Sequence, residues 1–153
     1  MIAYVTLGVA DIARAQAFYD ALLVTIGATR MLEEPEHNGY TWYGTGPGRP
    51  GFVITRPWDG GVPSVGNGTM VAVACGTRER VDAFHARALE LGATDDGPPG
   101  LRTPEGERAF YAGYFRDPDG NKLCGFATGP GRASGCAMRP VAAPSHRSAV
   151  AGR

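Results

Sequence analysis

Residues Ala109 to Phe126 read AFYAGYFRDPDGNKLCGF. Two runs rich in aromatic and aliphatic side chains flank Asp117-Pro118-Asp119-Gly120, and the whole reads as a hairpin. Asp first, Pro second and Gly fourth are the residues a type I turn asks for. Proline fixes φ near the value needed at the second position, and the Asp carboxylate can accept from backbone N–H groups further along.

Upstream of the hairpin lie Thr103–Arg108 and a Gly/Pro-rich loop, Gly97–Arg102. Before them Met70–Gly76 alternates, with Val71, Val73 and Cys75 on one face and Met70, Ala72 and Ala74 on the other, as a strand does. Thr77 stands at an N-cap position, and Val81, Phe84, Ala88 and Leu91 form a helical stripe that stops at Gly92. The first half of the chain carries the same pattern. Ala3, Val5, Leu7 and Val9 alternate with Ile2, Tyr4, Thr6 and Gly8. Asp11 then caps a helix with the stripe Ile12, Ala15, Tyr19, Leu22 and Ile26, closed by Gly27. At an offset of 66, Val5, Arg14, Ala17, Phe18 and Leu23 fall on Val71, Arg80, Ala83, Phe84 and Leu89. After a one-residue slip, Ile26-Gly27-Ala28-Thr29 falls on Leu91-Gly92-Ala93-Thr94. Strand candidates at Thr29–Glu33, Tyr40–Gly44 and Gly51–Thr55 fill the first half. The chain is expected to be an α+β tandem of two βαβββ modules, about 1–57 and 68–128, joined by a Gly/Pro-rich linker at about 58–67.

Composition narrows the partners. The formal charge is zero, no apolar run approaches the ~18 residues of a membrane span, and no signal segment is visible. Neither nucleic acid nor membrane is expected as a partner. Cys75, Cys124 and Cys136 are odd in number and contain no CxxC, which fits free thiols in a reducing cytoplasm. Residues 129–153 lose their aromatics and carry Arg132, Arg139, Arg147 and Arg153 with no acid, the composition of a disordered basic tail. The remainder is then acidic, 11 basic residues against 15 acidic.

With VTLGVADIARAQAFYDALL opening one module and DPDGN closing the other, residues 1–128 resemble the vicinal oxygen chelate superfamily. That group holds glyoxalases, extradiol dioxygenases, fosfomycin-modifying enzymes and bleomycin-resistance proteins. The resemblance implies two curved sheets enclosing a cleft, a homodimer, and, in metal-dependent members, His on the first strands and Glu on the last. The matching positions here hold Tyr4, Met70 and Cys124. Phe52–Thr55, the last strand of the first module, contains neither His nor Glu. A divalent site needs about three or four N, O or S ligands, and these side chains do not supply them. No metal and no other cofactor is therefore expected. His85 reads as a packed helix-edge side chain, and His37 sits in a charged turn after Glu33-Glu34-Pro35-Glu36.

The strand faces turned away from the helices should line the cleft. They carry Tyr4, Thr6, Met70, Cys124 and Phe126, with Trp42 available to stack on a flat ligand and Arg102 to grip a carboxylate or phosphate. Each also has a plain structural reading: core filling for Met70 and Phe126, a surface ion pair for Arg102, an inert thiol for Cys124. The expectation is capture of a small organic molecule without metal. The alternatives are a glyoxalase-like lyase or dioxygenase with non-standard or recruited ligands, and an interaction scaffold without a ligand.

Overall fold

The computed structural model describes residues 2–131 of the chain. The first module runs β1 (Tyr4–Gly8), α1 (Ile12–Leu23), β2 (Thr29–Glu34), β3 (Tyr40–Gly44) and β4 (Gly51–Thr55). Its sheet has the order β1-β4-β3-β2, with β1 and β4 parallel. The second module runs β5 (Val71–Ala74), α2 (Arg78–Glu90), β6 (Thr94–Asp95), β7 (Gly100–Leu101), β8 (Phe110–Arg116) and β9 (Lys122–Thr128). Its sheet has the order β5-β9-β8-β6, and β7 pairs with β8 as well. The repeat read from the sequence is therefore a repeat of architecture.

Caps set both helices. The Asp11 carboxylate accepts from the Arg14 N–H, and the Thr77 hydroxyl from the Arg80 N–H. Gly27 and Gly92, at φ 82° and 97°, take the left-handed conformation that ends each helical run. The α-helical part of α1 stops at Leu23, and Ile26 lies in a following 3₁₀ turn, Val24–Ile26. The tightened last turn still presents Ile26 to the core.

One face of each sheet packs on helices. Leu7, Tyr43 and Ile54 of the first sheet share one buried cluster with Phe115, Leu123 and Ala127 of the second, with Phe18, Tyr19, Leu22, Phe84 and Ala88 between them. Full burial of a side chain of this size is worth about 1.5–3 kcal/mol relative to exposure.

Two sequence boundaries shift. The loop expected at 97–102 contributes a short strand, because β8 is seven residues long and β6 covers only its Phe115–Arg116 end. Pro98 and Pro99, lacking N–H donors, separate the two pairings. The tail expected from residue 129 begins with an anchored stretch. The Gly129 N–H donates to the Ala109 carbonyl, Arg78 donates to the Gly129 carbonyl, and the Gly131 N–H reaches Glu105. The rest of the expected tail, with Cys136, lies outside the described residues.

The Asp117–Gly120 turn joins the modules. The Gly120 N–H donates to the Asp117 carbonyl at 2.8 Å, and Gly120 takes φ 88°. Asp117 Oδ1 accepts from the Asp119 and Asn121 N–H groups, as the turn chemistry demands. Its Oδ2 accepts from the Tyr19 hydroxyl on α1 at 2.5 Å and from the Asn121 amide. Asn121 also donates to the Gly8 carbonyl, and Asp119 accepts from the Ala10 N–H and from Arg14. The hydrogen bonds between modules converge on this five-residue segment.

Candidate functional site

The faces opposite the helices are the candidate binding surfaces, and the strand register places their residues. On the first sheet, Tyr4 and Thr6 of β1 are exposed. Tyr4 lies beside Gly51, and its ring meets that of Trp42 at 4.9 Å. Gly51 is required there. A Cβ at that position would lie 2.1 Å from Trp42 Nε1, so the absence of a side chain gives the indole its place. Leu32, opposite Trp42, extends the same face and is 45% exposed.

On the second sheet the same face carries Ala72 and Ala74 of β5, Phe110, Ala112 and Tyr114 of β8, and Lys122, Cys124 and Phe126 of β9. Ala72 sits beside Cys124 and Ala74 beside Phe126, while Ala112 faces Phe126 and Tyr114 faces Cys124. Phe110 and Phe126 stack at 5.3 Å. The Arg102 guanidinium lies 5.0 Å from the centre of the Tyr114 ring, and Lys122 Nζ lies 5.4 Å from it. Of the seven residues singled out from the sequence, the structure brings Tyr4, Thr6 and Trp42 to one face and Arg102, Cys124 and Phe126 to another. Met70, 42% exposed, precedes β5 at the margin of the second group and lines a cavity with Arg116 and Lys122. It also lines a mostly apolar cavity of about 540 Å³ between the modules, with Val5, Phe52, Val71 and Leu123 among the walls.

Cys124 lies beneath its face and not on it. It is wholly buried, and its Sγ contacts the Gly125 carbonyl at 3.7 Å. Burial pushes the thiol pKa up, and the opposing fields of Arg102 and Lys122 do not cancel that effect. A thiolate nucleophile needs the opposite balance. Arg102 forms no ion pair with a described residue. Its Nη2 instead donates to the Pro98 and Ala112 carbonyls, at 2.5 and 3.1 Å.

Among the described residues, no group of three or more His, Cys, Asp or Glu is arranged to hold a metal ion. His85 is buried, with Nε2 3.0 Å from Asp95 Oδ1 and 3.1 Å from the Tyr114 carbonyl, a packed helix-edge role as the sequence implied. His37 makes an exposed pair with Glu34. No described helix is long and apolar enough to cross a membrane.

The model of the Glyoxalase/Bleomycin resistance protein/Dioxygenase superfamily matches residues 1–124. The chain belongs to this superfamily. A glyoxalase/bleomycin resistance protein from Albidiferax ferrireducens T118 is 36% identical, with a TM-score of 0.72 over 83% of this chain and 98% of that one. A glyoxalase-related enzyme from Fulvimarina pelagi shares the fold at 18% identity and a TM-score of 0.62, over 84% of this chain and 88% of its own. So does TnmS3, an antibiotic binding protein from Streptomyces sp. CB03234, at 24% identity and a TM-score of 0.53, over 84% of this chain and 95% of its own. No curated protein matches the chain.

For a superfamily member, the face residues missed in the sequence are informative. Phe110 and Tyr114 were findable, because a hairpin turning at 117–120 places alternate residues of both strands on one face. Arg102 reaches that face from a loop, where no periodicity applies.

Proposed function

We propose that this superfamily member captures a small, flat organic molecule on the open sheet faces, without a resident metal or other cofactor. The observation that carries the reading is the donor set. Tyr4, Met70 and Cys124 stand where the resemblance puts metal ligands, and Cys124 is enclosed with its proton held more firmly than usual. The surroundings suit capture. Aromatic pairs at Tyr4–Trp42 and Phe110–Phe126 offer flat apolar surface, edged by a few polar groups. That TnmS3 binds an antibiotic on this fold supports capture as a use of it.

The reading includes a homodimer in a reducing cytoplasm. Leu101, 44% exposed beside the second face, is an apolar side chain that a second copy would cover, and light scattering of the eluting protein tests the mass. Elemental analysis of protein purified without chelator, with a thermal-shift series of divalent ions and aromatic compounds, tests the function. A ligand at ~100-fold excess over Kd stabilises by about 2.7 kcal/mol, a readable shift. Stoichiometric metal, or a large rise with one particular ion, overturns the metal-free reading. An aromatic panel that produces no shift overturns capture.

A further inference from the structure

We propose that the open face of the second sheet selects an organic anion: a flat apolar body lies on Phe110 and Phe126, and its carboxylate or sulfonate meets Arg102 and Lys122. This inference rests on the capture reading and adds the ligand's charge. The face is polarised along its length. At one end the two phenylalanine rings stack, both half-buried, over wholly buried Ala112. At the other, two cationic groups, Arg102 and Lys122, lie 5.0 and 5.4 Å from the centre of the Tyr114 ring.

Arg102 is built as an anion clamp. Two backbone carbonyls hold Nη2, the Tyr114 ring supports the guanidinium plane, and neither bond occupies Nε or Nη1. No carboxylate of a described residue lies within ion-pair distance of it, although the residue is exposed. Carbonyls fix an arginine without neutralising it, so the fork stays charged and oriented for a planar anion. Lys122 adds to the field. It shares the single carboxylate of Asp96 with Arg116, at 3.1 and 3.2 Å, so two cations face one anion. Ala72 and Ala74, exposed and small, add little bulk to the face over β5.

Three probes of one shape separate charge from hydrophobic capture: 2-naphthoate, 2-naphthamide and 2-naphthylmethylammonium, titrated by calorimetry into the full chain. Naphthoate should bind about tenfold or more tighter than the amide, the span expected of one hydrogen-bonded charge pair, and the ammonium should bind weakest. Arg102→Gln should abolish the preference while amide binding stays within about twofold, and Arg102→Lys should keep part of it. Phe126→Ala should weaken naphthoate and amide alike. Amide or ammonium binding as tight as naphthoate overturns the anion assignment and leaves capture standing, whereas no binding of any probe overturns both. If Arg102→Gln fails to fold, as judged by its denaturation midpoint, Lys122→Gln takes its place and should lower the preference by a smaller factor. A preference that survives both changes also overturns the assignment.

Discussion

Tyr19 and His85 occupy equivalent positions in the two modules, 66 residues apart, and both are buried. Each spends its polar atom on an aspartate of the second module, with opposite consequences. The Tyr19 hydroxyl crosses to Asp117 and ties the first module's helix to the second module's hairpin. His85 stays within its own module, bonding Asp95 and the Tyr114 carbonyl and so fixing α2 to β6 and β8. One position of the repeat has become an inter-module clasp, the other an internal brace. Their partners differ in exposure too. Asp117 is 3% exposed, while the Asp95 side chain is 48% exposed.

That contrast predicts the largest effect. Asp117→Ala removes a carboxylate that accepts four hydrogen bonds and leaves the Tyr19 hydroxyl buried without a partner. Losses of this kind cost about 3–5 kcal/mol. Asp95→Ala should cost about 1 kcal/mol, because water can replace a half-exposed partner. Urea unfolding of both variants measures the difference. Equal losses would mean that Asp117 is no clasp and that the modules are held by the shared core alone.

Alkaline pH probes the modules in turn. Cys75, in the second module, is buried, and burial pushes its thiol from an ordinary 9.0 to about 11. A thiol whose folded pKa exceeds its unfolded one holds its proton longer in the folded chain. Its contribution is full below pH 9 and is lost as pH rises to about 11. Tyr19, in the first module, is raised well above its usual 10 by burial and then by Asp117, so it adds a loss that starts about one unit higher. Unfolding free energy should fall by about 1–3 kcal/mol across that first window. Cys75→Ala should make the slope there shallower, leaving the part that buried Cys124 contributes and the later fall in place. An unchanged slope in that variant would refute the assignment to Cys75.

The fold was legible because local chemistry and periodicity agreed with each other. Asp117-Pro118-Asp119-Gly120 specified its turn, Asp11 and Thr77 their helix starts, and alternation in β1 and β5 the buried faces. β3 and β4 were delimited by glycine and proline. What sequence could not give was the use of those groups at long range. The turn chemistry of Asp117 predicted Oδ1 bonding its own loop, yet nothing local indicates that Oδ2 receives Tyr19 from 98 residues away. Cys124 shares a face with Lys122 by plain alternation along β9. Its complete burial, with Tyr114 opposite across the hairpin and Ala72 opposite on the neighbouring strand, is a tertiary result that alternation alone does not carry. Arg102 was singled out for its chemistry alone. Its fixation by the Pro98 and Ala112 carbonyls comes from β7 joining β8, a two-residue pairing too short to leave a pattern.

The smallest effect separates faces within one module. Tyr4 is 46% exposed and its main partner is Trp42, so Tyr4→Ala gives up an aromatic contact worth about 0.5–1.5 kcal/mol and little buried area. Phe18, on the opposite side of the same sheet, is 3% exposed, and its loss should cost about 3–5 kcal/mol in cavity and transfer terms together. Thermal unfolding of Tyr4→Ala should therefore stay close to that of the parent, while capture of an aromatic probe on the first sheet weakens. A stability loss as large as that of Phe18→Ala would place Tyr4 in the core in energetic terms, and the face would then be supporting the fold and not free to bind. A small loss with unchanged capture would leave the first sheet's face unused and move all binding to the second, where the rings lie beside cations.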